Sequence, residues 1–183
     1  MIRLKGSKKS WGFIAKIFHW LMAFLILMQI SFGINLHFIV NSEGKDDLVH
    51  FHKIFGTFIL CLIFLRLIWR FYNTKPLHKE VSFFHRLTST LVHILLYALV
   101  FIIPIQGMII TWLGGSDVLM FGFIKLPRLI EENFILYDTF VSYHFFMTIV
   151  LLSLFFLHLI GAFYHYIKSN KNNVWRSMSL RDY

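Results

Sequence analysis

Cysteine is almost absent: the chain has one, Cys61, in an apolar run, which excludes a disulfide within the chain and speaks against a thiolate metal cluster. No CxxCH occurs, which argues against covalently attached haem. Charge is scarce as well, at 15% of 183 residues, while 57% are hydrophobic, 22 are phenylalanine and the mean hydropathy is +0.67. That balance belongs to a membrane protein. Internal repeats and low-complexity tracts are also missing, and at this length one bundle uses up the chain. The basic N-terminus resembles the start of a signal peptide, but the apolar run after it is too long and ends in no small-residue cleavage pattern, so it is expected to be retained.

What is present is a series of long apolar segments. Spans are expected at about 17–40, 49–71, 91–113 and 143–166, giving an all-α membrane protein built as a four-transmembrane-helix bundle in a single domain, 1–183. The linker at 41–48 (NSEGKDDL) carries loop signals, as does Thr74-Lys75-Pro76. Gly115 to Thr139 holds too many charges to cross and too many large apolar residues for a free loop; it is expected to lie along the membrane interface and cap the bundle. With four spans, the termini and the middle loop share a side carrying 14 of the 18 bases and two acids (+12); the other side has four bases and seven acids (−3). By the positive-inside rule both termini are expected in the cytoplasm of a bacterial inner-membrane protein, the excess charge serving topology and anionic lipid, not nucleic acid.

Ten histidines accompany the apolar runs. His37, His78 and His85 fall in loops or at their edges, where a solvated role is expected. His19 and His158 lie at similar depth in one half of the membrane, and His52 and His144 at similar depth in the other. The fourteen-residue step from His144 to His158 returns to nearly the same helix face about 21 Å along the axis. Imidazole in hydrocarbon is costly without a partner, so two depth-matched pairs point to two b-type haems, each held by histidines from two helices. Gly56 and Gly161 are expected to leave room beside His52 and His158. His50 points about 200° from His52 and faces away from the bundle, and His165 is expected at the headgroups. His93 has three open roles: a ligand in place of His19, a donor to a haem propionate, or a wall of a quinone pocket. Arg66 and Arg70, one turn apart, are expected to meet either propionates or phospholipid.

Over nearly its whole length the chain resembles the prokaryotic cytochrome b561 family of four-span dihaem membrane proteins. The resemblance is carried by FHW at 18–20, HKIFG at 52–56, RLIWR at 66–70, HILLY at 93–97 with Pro104 and Gly107, FGFIKLP at 121–127 and the His144/His158 pair. It implies haem ligation by His19, His52, His144 and His158, and electron transfer between the outer surface and ubiquinone or another membrane quinone. The family includes a superoxide:ubiquinone oxidoreductase. An anionic substrate sits awkwardly with an outer face of −3, although Lys53, Lys125 and Arg128 offer a positive entry. Two other functions are compatible with the residues. One is a cytochrome b anchor subunit fed by a soluble hydrogenase or dehydrogenase; the other is a haem-free transporter using histidines for metal or protons.

Overall fold

The structure, a computed structural model, describes residues 3–7, 10–38, 44–74, 76, 83–168 and 178, without the side chains of His165 and Lys168. The expectations for His78, for the His165 contact, for part of each inter-helix loop and for most of the basic tail therefore lie outside the described residues. Four helices follow in order: α1 Phe13–Phe38, α2 Lys45–Tyr72, α3 Phe83–Leu113 and α4 Phe134–Lys168, with strands β1 Leu119–Met120 and β2 Ile124–Lys125 between α3 and α4. All four helices are long and apolar enough to cross a membrane.

All four helices begin before the apolar windows do, because capping sets their ends. The Phe13 amide, an orphan donor of the first turn, gives its hydrogen bond to the Arg3 carbonyl at 2.9 Å, so the N-terminal segment caps α1. Gly44, at φ 87°, precedes α2, and Asp46 and Asp47 occupy its first turn, where the helix dipole favours acids. α3 stops at a Schellman motif: Gly115, at φ 75°, donates to Trp112 and Ser116 donates to Thr111. The Asn133 side chain accepts from Leu136 N at 3.1 Å and starts α4 nine residues before the apolar window opens. The segment 115–139 is thus divided between a hairpin and the first turns of α4.

That hairpin lies on α2. Its turn places Phe121 at φ 56° and Gly122 at φ 86°, the positive-φ pair of a tight two-stranded connection. Phe121 N donates to the Thr57 hydroxyl at 3.1 Å, and its ring meets Phe58 edge-on. A side chain at Gly122 would strike Ile54. The backbone of the tip is thereby satisfied against a helix flank that is otherwise apolar.

α1 packs chiefly on α2 and α3 on α4; α2 against α3 joins the two hairpins, and α1 meets α4 only sparsely. The core is small, centred on Met22, Leu25, Ile30, Ile59, Leu62, Ile63, Val100 and Leu151. Many large apolar side chains face outward, among them Phe24, Phe64, Phe146 and Ile160, which is the pattern of a bundle solvated by lipid.

Candidate haem sites between the helices

The loosely joined region between the hairpins is where the histidines meet. His52 on α2 and His144 on α4 have ring centroids 6.2 Å apart at an interplanar angle of 74°. His19 on α1 and His158 on α4 repeat this at 6.2 Å and 73°. Metal–imidazole bonds are about 2.0–2.1 Å and a ring centre lies about 1.1 Å behind its nitrogen, so two imidazoles opposed across one metal put their centroids about 6.3 Å apart. Both pairs have that separation. His93 on α3 stands 5.2 Å from His158, too near for the two rings to oppose each other across a metal, and its Nδ1 is 3.4 Å from the Ser89 hydroxyl.

Around His52 and His144 the bundle opens into a cavity of about 490 Å³, a size suited to a cofactor. Its walls include Ile30, Val100, Pro104, Val141 and Leu151. The Nδ1 atoms of both histidines are buried without a hydrogen-bond partner among the described residues, so each ring is held by shape. A Cβ on Gly33 would come within 3.3 Å of the His52 ring, and one on Gly107 within 3.5 Å of the His144 ring. The first helix of each hairpin thus gives up a side chain to seat a histidine of the second. Gly56 instead faces Gln29, whose amide donates to the His52 carbonyl at 2.7 Å, and a Cβ on Gly161 would meet nothing within 4 Å. Gly56 lines the cavity beside His52 and Gly161 faces open space, so both leave room as expected, while the contacts that seat the outer rings fall to Gly33 and Gly107.

The other pair has polar surroundings. Arg66 donates to His19 Nδ1 at 3.1 Å. A guanidinium cannot accept, so the ring's proton then sits on Nε2, and metal binding at Nε2 requires loss of that proton or a turn of Arg66 away. Arg66 and Arg70 both lie over the Tyr97 ring, at 5.3 and 5.1 Å, and Arg70 also donates to the Tyr97 hydroxyl at 3.3 Å. His50 is exposed, in line with its expected orientation. His37 is exposed in the last turn of α1, as expected, and its ring also stacks on Phe145 at 3.8 Å and 13° and lines the cavity. His85 opens α3 and stacks on Tyr164. Of the expected basic entry, Lys53 lines the cavity, Lys125 pairs with Asp117 at 2.6 Å, and Arg128 binds the Gly115 carbonyl.

A family model described as prokaryotic cytochrome b561 matches residues 10–179. The chain belongs to the prokaryotic cytochrome b561 family. Its curated relatives include "Cytochrome b561 homolog 2" of Escherichia coli (strain K12), 25% identical over 178 residues, covering 94% of this chain and 93% of the relative. Another is "Probable superoxide oxidase CybB" of Yersinia pestis, 27% identical over 161 residues, covering 87% of this chain and 90% of the relative. Family and bundle together make this a membrane-embedded electron-transfer protein of the b561 type, and the family carries haem-binding capacity. The residues here suit that group: an apolar cavity, rings at metal-bridging separation and glycine seats beside the rings.

Proposed function

We propose that the protein is a dihaem b-type cytochrome of the bacterial inner membrane, with both termini cytoplasmic, that passes electrons from a donor at its outer face to ubiquinone or another membrane quinone. The observation carrying this reading is the repeat of one geometry, two histidine rings 6.2 Å apart and nearly perpendicular, in both halves of the bundle. His52 and His144 hold the outer group, and His19 and His158 the inner one. Bound haem supplies one-electron centres, and the apolar walls around it keep water out and tune the potential. Gln29 ties α1 to the His52 turn, and Gly33 and Gly107 fix the outer rings. His93, Arg66 and Arg70 line the inner end as contacts for haem propionates or quinone; the 5.2 Å approach of His93 to His158 favours this over ligation by His93.

Superoxide is the donor that the Yersinia relative's printed name supports. Two superoxide ions would each yield dioxygen and one electron, and quinone would take up both electrons with two protons to form quinol. Lys53 lines the outer cavity, which suits an anion. A soluble electron-donor protein is the second reading, and membrane lipid is the surrounding partner in either case.

The test is a reduced-minus-oxidised spectrum of the purified protein with haem counted per chain, then mixing with superoxide and a ubiquinone analogue. About two low-spin haems per chain, reduced by superoxide and reoxidised by quinone, are expected. Haems indifferent to superoxide would leave a carrier for another donor, and colourless protein would refute the reading.

A further inference from the structure

At the end of the bundle that carries the chain termini lies a second, small cavity of about 30 Å³, bordered by Trp11, Arg66, Trp69, Arg70, Asn73 and Tyr97. What surrounds it is one-sided. Asn73, the residue that ends α2, is only 7% exposed, and its Oδ1 accepts from the Gly6 amide at 2.6 Å. That bond fixes the amide's orientation and leaves Nδ2, buried, with no partner among the described residues. Trp69 Nε1 is likewise buried and unpartnered. The two arginines have neutral partners: His19 and the Met22 sulfur for Arg66, and Tyr97 for both. The acids among the described residues, Asp46, Asp47, Asp117, Glu131, Glu132 and Asp138, all belong to the opposite end.

Two half-buried cations that meet only neutral groups, and two buried donors without a partner among the described residues, surround one small space and are costly unless something negative enters. The geometry points to a binding site for a single oxyanion group, a carboxylate or a phosphate, held by Arg66, Trp69, Arg70 and Asn73. Paired guanidinium groups suit such an oxyanion. The indole and amide N–H groups supply the remaining directed bonds. Two sources present this chemistry at this depth: a propionate of the inner haem and the phosphate of a phospholipid headgroup. Arg66 turning from His19 Nδ1, as metal binding at that ring can require, would direct its charge to the same place. The first source rests on the haem reading above; the second does not.

The site is tested on the full-length haem-loaded protein with two variants. Asn73→Asp keeps an oxygen for the Gly6 amide and puts a carboxylate where the orphan donor stands, filling the site from within. Trp69→Phe removes the indole N–H while keeping an aromatic ring, and covers the case in which the first variant does not fold. Phosphorus retained per chain after exhaustive detergent exchange reads the lipid source; the rate of haem transfer to excess apomyoglobin reads the propionate source. A lipid phosphate predicts that the wild type keeps about one phosphorus per chain and Asn73→Asp about none, with haem transfer unchanged. A propionate predicts that one haem leaves both variants about tenfold faster, with phosphorus unchanged. If neither readout moves in either variant, there is no oxyanion site. A wild type that holds no haem would refute the cytochrome reading while the phosphorus measurement still decides the pocket.

Discussion

A glycine beside a histidine is the smallest unit on which the outer site depends. Gly33 lets His52 lie against the backbone of α1, and an added Cβ there would stand 3.3 Å from the ring, whose Nδ1 has no hydrogen-bond partner among the described residues to hold it in place. Gly33→Leu is therefore expected to displace His52 and reduce the haem content from about two per chain to about one, leaving the inner pair intact. Haem per chain and the loss of one component of the reduced spectrum check this, beside His158→Ala, which is expected to remove the other component without preventing membrane insertion. The pairing of His19 with His158 and of His52 with His144 was legible in the sequence because depth and helical phase are arithmetic on residue number. Gly33 and Gly107 were not: they serve a neighbouring helix, and nothing in spacing along one helix says which glycine on another will face a ring. The same gap hid the stacking of His37 on Phe145, which joins α1 to α4 across the cavity.

At the level of elements, apolar length identified four helices, while their ends were set by short polar signals the apolar windows do not contain. Asn133 is such a signal, and so is Gly115. An alanine at Gly115 would have to hold a left-handed backbone at φ 75°, and its Cβ would press on the Glu132 carboxylate at 2.7 Å. Gly115→Ala is expected to cost about 1–2 kcal/mol, read as a lower midpoint of thermal unfolding in detergent. The hairpin between α3 and α4 carries a pH dependence of its own. The hydrogen bond from Lys125 holds the exposed Asp117 carboxyl below its usual range. A depressed folded-state pKa means the contribution is present above the ordinary carboxylate pKa of about 3.8 and lost as the pH falls through the lower folded value. The protection factors of the hairpin amides, exchange rates normalised to the intrinsic rate at each pH, are therefore expected to fall on acidification into that range in the parent and not in Asp117→Asn. The sequence had already marked 115–139 as neither span nor free loop. Its folding into strands depended on the Phe121 contact with Thr57, 64 residues away in the chain, which no local pattern announces.

For the whole molecule the decisive quantity is where charge sits relative to the cavity. The formal charge on the side bearing the outer cavity is −3 by sequence, which taken alone would repel an anion. Three-dimensional placement changes the balance: Lys53 lines the cavity, whereas Lys125 is neutralised by Asp117. Near a low-dielectric opening, local charges outweigh the distant remainder, because exposed charges farther off than about 8–10 Å are largely screened at physiological ionic strength. If superoxide is the donor, its reaction with the outer site is expected to slow as salt is added, and Lys53→Gln to lower the second-order rate by about three- to tenfold with a weaker salt dependence. Stopped-flow reduction of the haems at several ionic strengths measures both. A rate that rises with salt would mean that the net −3 governs approach, and would shift the assignment from superoxide to a cationic or neutral donor at the same face.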